Sequence, residues 1–395
     1  MDLAYIYLDN MAATRLDERV LDAMRPYLFD TYAVATSQFG YSLGIAARDG
    51  LEEARASVAQ SLSASADEIV FTSGSTESTN MAIKGAAAAL ATKRGRHVIT
   101  TAVEDFPVLQ SVRSLERAGF ELTVLPVDAH GRVHIEDMER ALRDDTALVS
   151  IQAANQEIGT LQDVAALSAM AKAAGAFVHV DATYAWPRVP LDVTVLPVDL
   201  VSLTTALVHG PRGTGALYVR EGTPLTKWMD GGFQEGNRRG GPEDIAGAVG
   251  MSAALALVTE EETRRLQALR DTLERALLEI PNTVLNGHPE LRVPTLSNVS
   301  FRFVEGESIL LHLDMRGVAV STGSACFSRS LEASHVILGI GGNHERAHGS
   351  VRMSLGRYND AQDIDATVEA LTDVVARLRE ISPLGKEVQN ATAVQ

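Results

Sequence analysis

At 395 residues the chain exceeds what one hydrophobic core usually fills, so two packed units are expected. Its net charge of −16 argues against nucleic acid as a main partner, and the lack of an apolar run of about 18 residues argues against a membrane span. The single cysteine, Cys326, excludes an internal disulfide and a multi-cysteine metal site within one chain, so no metal is expected. The N-terminal MDLAYIYLDN has no basic region of the signal-peptide kind, and a cytoplasmic location is expected.

In chain order, residues 4–9 read as a strand, 17–29 as a helix, 33–42 as an irregular loop and 44–63 as a helix with Glu-Arg pairs outward. From Ile69 strands alternate with helices: IVFTS, a helix from Thr76, HVITT, a helix over 106–118, LTVLPVD, a helix from Ile135, ALVSIQ, a helix over 163–174, FVHVDA and LVSLTT. Such alternation implies βαβ units and a mostly parallel sheet, with ligands beyond the carboxyl ends of its strands. Residues 229–243 are glycine-rich and read as a loop, and 244–280 as one long helix with a possible break. The rest reads as a small α+β unit. The expected division is a large α/β unit over 1–255, whose first residues can pack with the small unit, a small unit over 256–383, and a disordered tail over 384–395 that has little to bury.

Five strings stand out. Phe71–Gly85 (FTSGSTESTNMAIKG) ends a strand, turns at Gly74 and opens a helix with Ser75 and Thr76, as an anion site or a plain N-cap would. Ala153–Val164 (AANQEIGTLQDV) holds Asn155, which a simple turn would also explain. Phe177–Trp186 (FVHVDATYAW) holds Asp181, which a turn cap would also explain. Val320–Gly341 holds Cys326 in a Gly/Ser-rich segment without apolar periodicity, so an exposed loop is expected. Ala347–Asp360 holds Arg352, able to grip a carboxylate by paired hydrogen bonds or to sit in an ion pair.

Together with Val201–Tyr218 (VSLTTALVHGPRGTGALY), these strings resemble the cysteine desulfurase family of pyridoxal-phosphate (PLP) enzymes, from about residue 6 to about 380. The resemblance implies a fold-type I PLP-transferase, with a mostly parallel central sheet and a smaller α+β unit. It implies a phosphate contact from Gly74, Ser75 and Thr76, a cofactor contact from Thr204, a ring-oxygen and substrate contact from Asn155, and Asp181 beside the pyridine nitrogen. It further implies that Arg352 binds the substrate carboxylate and that Cys326 is the sulfur-handling thiol. The implied partners are a second copy of the chain, a sulfur acceptor or iron–sulfur scaffold protein, and cysteine or a related amino acid.

The same frame shows what is missing. Leu207 stands where the family has its Schiff-base lysine, and Ala206 where that lysine has a histidine neighbour. Asp105 stands in place of the histidine that stacks on the ring. Tyr184 replaces a glutamine that bonds the ring oxygen, and Pro242 falls where a threonine reaches the partner's phosphate. Only five lysines exist (Lys84, Lys93, Lys172, Lys227, Lys386), and none matches a family position for the cofactor. PLP is therefore expected to bind without a covalent link at most, or not at all. The expected function is sulfur transfer or iron–sulfur assembly through Cys326, as persulfide carrier or thiolate, with PLP turnover weakened or lost. A catalytically silent scaffold, or a different reaction on the same fold, are the alternatives.

Overall fold

The computed structural model describes residues 5–323 and 333–382. Cys326 and the expected tail lie outside them.

Twelve strands are found among the described residues: β1 (Ile6–Tyr7), β2 (Ile69–Thr72), β3 (His97–Thr101), β4 (Glu121–Leu125), β5 (Thr146–Gln152), β6 (Phe177–Asp181), β7 (Leu200–Leu203), β8 (Gly215–Val219), β9 (Thr283–Leu285), β10 (Leu296–Phe301), β11 (Val318–Ala319) and β12 (Ser350–Ser354). Seven form one sheet in the order β2-β8-β7-β6-β5-β3-β4. Only β8 runs against its two neighbours; the other pairs are parallel. Parallel strands need covered faces, and the residues supply two. Successive side chains point to opposite sides of a strand. Thus Ile69, Phe71, Ile99, Val201, Leu203, Ala216 and Tyr218 pack into one apolar cluster. Their neighbours Val70, Val98, Leu200, Leu217 and Val219 pack into another across the sheet.

A separate cluster gathers Leu8, Val299, Phe301, Val318, Met353 and Leu371. It sits on the antiparallel sheet β12-β10-β9 and the parallel pair β1–β11. The N-terminal strand is thereby bound to the later part of the chain.

Helix starts follow local chemistry. Asp17 accepts from the Arg19 amide at the head of Glu18–Phe29, and Asp360 forms a capping box with Asp363 at the head of Ala361–Ile381. The long helix expected over 244–280 is two helices, Ile245–Ala256 and Glu260–Leu278. The Thr259 side chain accepts from the Glu262 amide and starts the second one afresh. Within 33–42 the chain forms a 3₁₀ helix, Ala35–Phe39, and within 229–243 a short turn, Gln234–Asn237, with Glu235 at φ 49°.

The carboxyl ends of the parallel strands converge. Gly74 follows β2, Asp105 follows β3, Asn155 follows β5, Asp181 ends β6 and Thr204 follows β7.

Candidate functional site

Two cavities open at this edge. The first, about 490 Å³, is lined by Gly74, Ser75, Thr76, Thr204, Leu207, Arg212 and Thr214, among others. The second, about 200 Å³, is lined by Asp105, Gln156, Glu157, Ser321, His335 and Arg352, among others. Met11, Ala12 and Tyr184 line both, so they form the wall between them.

The first cavity has the backbone features of an anion site at one end, with the Glu77 carboxylate also on its lining. Gly74 adopts φ 141°, a backbone region glycine occupies without strain. Ser75 and Thr76 then open a helix, whose first amides have no partner within it. β8 must pass close behind this turn, and Gly215 permits it. A Cβ there would lie 2.6 Å from the Gly74 carbonyl carbon and 2.9 Å from the Leu203 oxygen. Thr204, expected to contact the cofactor, lines the cavity, and its Oγ1 donates to the Thr214 oxygen and accepts from the Ala206 amide. Glu77, which lines the cavity, accepts from Arg239 at 3.0 Å. Pro242, the altered position nearby, is exposed.

In the second cavity Arg352 donates to Asp9 at 2.9 Å and to the Gln156 oxygen at 3.0 Å. Its Nε is buried without a partner. A ligand carboxylate entering here would compete with Asp9 for the guanidinium. Glu157 is fully buried, accepts from Ser334 at 2.7 Å, and has one oxygen unpartnered. Burial pushes its pKa up to about 7. Glu104, also buried, accepts from Thr101 and from the Gln152 amide, and burial holds its carboxyl well above the usual range.

Two expected ligand residues also hold their own turns. Asn155 has no exposed surface. Its Oδ1 accepts from the Glu157 and Ile158 amides and its Nδ2 donates to the Val103 oxygen, so the side chain ties its own turn to the loop after β3. Asp181 lines neither cavity, and its Oδ1 accepts from both the amide and the hydroxyl of Thr183. Burial pushes its pKa up to about 6 despite those bonds.

The altered positions are brought together. Tyr184 donates to Asp105 at 2.9 Å, across 79 residues of sequence. Asp105 also caps the helix Phe106–Arg117 through the Phe106 amide. Burial raises the pKa of both side chains. Leu207 and Tyr184 pack against the same apolar core. Asp105 before Phe106-Pro107 is an N-cap signature readable in the sequence. The bond to Tyr184 had no local signal.

A flat phosphorylated ring such as PLP needs one cavity running from an anion cradle to a carboxylate at the ring nitrogen. The cradle fits. The ring end does not, because Tyr184, with Met11 and Ala12, stands between the cradle and the second cavity, and Asp181, 3% exposed, lines neither.

Comparison with known proteins agrees with this architecture. The aminotransferase class-V family profile matches residues 6–367. A protein of Dictyoglomus turgidum called cysteine desulfurase IscS is 46% identical over 386 residues, covering 97% of each chain. One of the same name from Methanosarcina thermophila is 45% identical, covering 96% of this chain and 94% of its own. Among solved structures, a NifS-like protein superposes with a TM-score of 0.88 at 33% identity, covering 94% of this chain and 99% of its own. SspA in complex with cysteine gives 0.80 at 30% identity, covering 90% and 99%. The chain thus belongs to the aminotransferase class-V family and is a cysteine-desulfurase-like protein of the fold-type I PLP-transferase fold.

Proposed function

We propose that this protein handles sulfur for transfer or iron–sulfur assembly, with Cys326 as persulfide carrier or as thiolate, and with PLP turnover weakened or lost. The observation that carries the reading is selective retention. The string Ser321–Glu332 (STGSACFSRSLE) keeps the sulfur-handling frame, while Ala206, Leu207 and Asp105 replace groups that serve PLP in the resembling family. As a carrier, the Cys326 thiolate attacks the outer sulfur of a donor persulfide. The donor S–S bond breaks, the donor leaves as a thiolate, and Cys326 holds the outer sulfur without net oxidation.

Alanine and sulfide are followed with cysteine and PLP present, beside mass spectrometry of Cys326 after exposure to a small persulfide. The reading expects a one-sulfur mass gain at Cys326 in the wild type and little alanine above free PLP. Absence of the mass gain, or sulfide release unchanged in Cys326→Ala, defeats it.

A silent scaffold is the second reading, favoured by the Tyr184–Asp105 bond across the ring end. It expects a stable complex with a sulfur-acceptor protein and no sulfur on Cys326. Under either reading the protein is a homodimer. Phe39 (94% exposed) and Phe233 (85%) are large apolar side chains on segments bordering one cavity, and a second copy would cover them. The unit boundary near residue 255 is proposed on the separate apolar clusters described above. No helix among the described residues is long and apolar enough to cross a membrane.

A further inference from the structure

We propose that Tyr184, tied to Asp105, is the specificity-determining residue of this pocket: it occupies the ring seat, so PLP is refused even when a lysine is available at position 207. This rests on the reading that PLP chemistry is weakened here, and extends it from a missing bond to a closed site.

Three observations converge. Tyr184 is common wall to the cradle cavity and the Arg352 cavity, and it is the large side chain of that wall beside Met11 and Ala12, so it takes up space a continuous ligand would need. The phenol is fixed: it donates to Asp105 at 2.9 Å, and Asp105 is itself held by the Phe106 amide at the head of a twelve-residue helix. The carboxylate that would serve a ring nitrogen, Asp181, is 3% exposed and bonded by Thr183 one turn before Tyr184. A ring could enter only if Tyr184 swung away. That motion would leave the Asp105 carboxylate buried without its phenol donor, and such a loss weakens binding by about tenfold or more. The cradle itself is undisturbed, because Tyr184 borders it without a hydrogen bond to Ser75, Thr76 or Thr214.

The test separates the lysine from the seat. Leu207→Lys and Leu207→Lys/Tyr184→Gln are titrated with PLP, following the visible Schiff-base absorbance and bound PLP by equilibrium dialysis. The single variant is expected to take up little PLP. The double variant is expected to bind at least about tenfold more tightly and to show the absorbance. Equal uptake by both variants overturns the proposal, and so does equal refusal by both when far-UV circular dichroism shows them folded. Should the double variant fail to fold, Leu207→Lys/Tyr184→Phe keeps the ring volume and removes the tie. It too is expected to bind about tenfold more tightly than Leu207→Lys, and equality overturns the proposal. Sulfur loading of Cys326 is measured on the wild type without PLP, so failure of the functional reading would show there and not in these titrations.

Discussion

Glu235 is the buried anchor of the glycine-rich loop, and Glu235→Ala is expected to be among the most damaging single changes away from the two cavities at the sheet edge. Its carboxylate accepts Arg55 Nη1 at 2.7 Å, Arg55 Nη2 at 2.9 Å and the Phe71 amide at 2.8 Å. The side chains of Arg55 and Glu235 are 9% and 2% exposed. Removing one member of a buried pair costs about 3–5 kcal/mol, because the other charge is left behind. Arg55 keeps one bond, from Nη1 to the Ile69 oxygen at 2.8 Å, and a 3.3 Å contact to Glu52, which places the loss near the middle, about 4 kcal/mol. The orphaned Phe71 amide adds to the same side. Urea unfolding followed by circular dichroism reads this as a lower midpoint at unchanged slope. Arg55→Met/Glu235→Leu is expected to lose clearly less than the two single losses summed, since no buried charge remains unpaired. A loss under about 1 kcal/mol for Glu235→Ala would refute the reasoning, showing the pair to be effectively solvated. The loop also carries Arg239, bonded to Glu77 beside the anion cradle, so weaker phosphate binding is expected to accompany the loss.

Gly215→Ala drives a methyl group into the Gly74 backbone and is expected to cost about 1–3 kcal/mol or more, read by thermal unfolding, and to weaken phosphate binding in titration calorimetry. Glu157 has a folded pKa of about 7 against its ordinary 4.5, so the folded chain keeps a proton that the unfolded chain releases. Stability therefore falls as pH rises through that window, by about 3 kcal/mol for this group, and Asp181 (about 6 against 3.8) adds a fall of the same sign. Glu157→Gln is expected to flatten that fall between about pH 5 and pH 8 in urea midpoints. Asp17 has the opposite sign. Hydrogen bonds from Arg19 and Arg357 hold its pKa below the usual carboxylate value, so its contribution is present above about pH 4 and lost on acidification. Asp17→Asn is expected to lower stability at neutral pH, by a difference that is full above about pH 4 and shrinks steadily on acidification below it.

Much of the fold was legible because it rests on period and punctuation. Short apolar runs alternating with helical stretches placed the six strands from Ile69 to Leu203, and each lies within the large sheet. The break at 257–259 was less visible, since Thr259 becomes a cap only when its side chain turns back to the Glu262 amide. The second core was only half legible. Leu8 joins Val299 and Met353 through strand pairing, and no string near the N-terminus specifies that partner. The site strings were legible as strings, yet the structural duty of Asn155 and Asp181 is visible only once their turns are built.

The deepest gap concerns pairs. Read singly, Asp105 and Tyr184 are two losses from a cofactor pocket. In the fold, Asp105 follows β3 and Tyr184 follows β6, and a single strand, β5, separates β3 from β6 in the sheet. Parallel strands bring both loops to the same edge, where the phenol meets the carboxylate. In this fold each is the other's partner: both side chains are buried and the phenol donates to the carboxylate at 2.9 Å, so the two positions are energetically coupled. That coupling predicts that Asp105→His and Tyr184→Gln each destabilise the protein when made singly. Made together they are expected to cost less than the sum, by about 1–3 kcal/mol in a double-mutant cycle. Strict additivity would mean that the two positions changed independently and that the hydrogen bond contributes nothing to the fold.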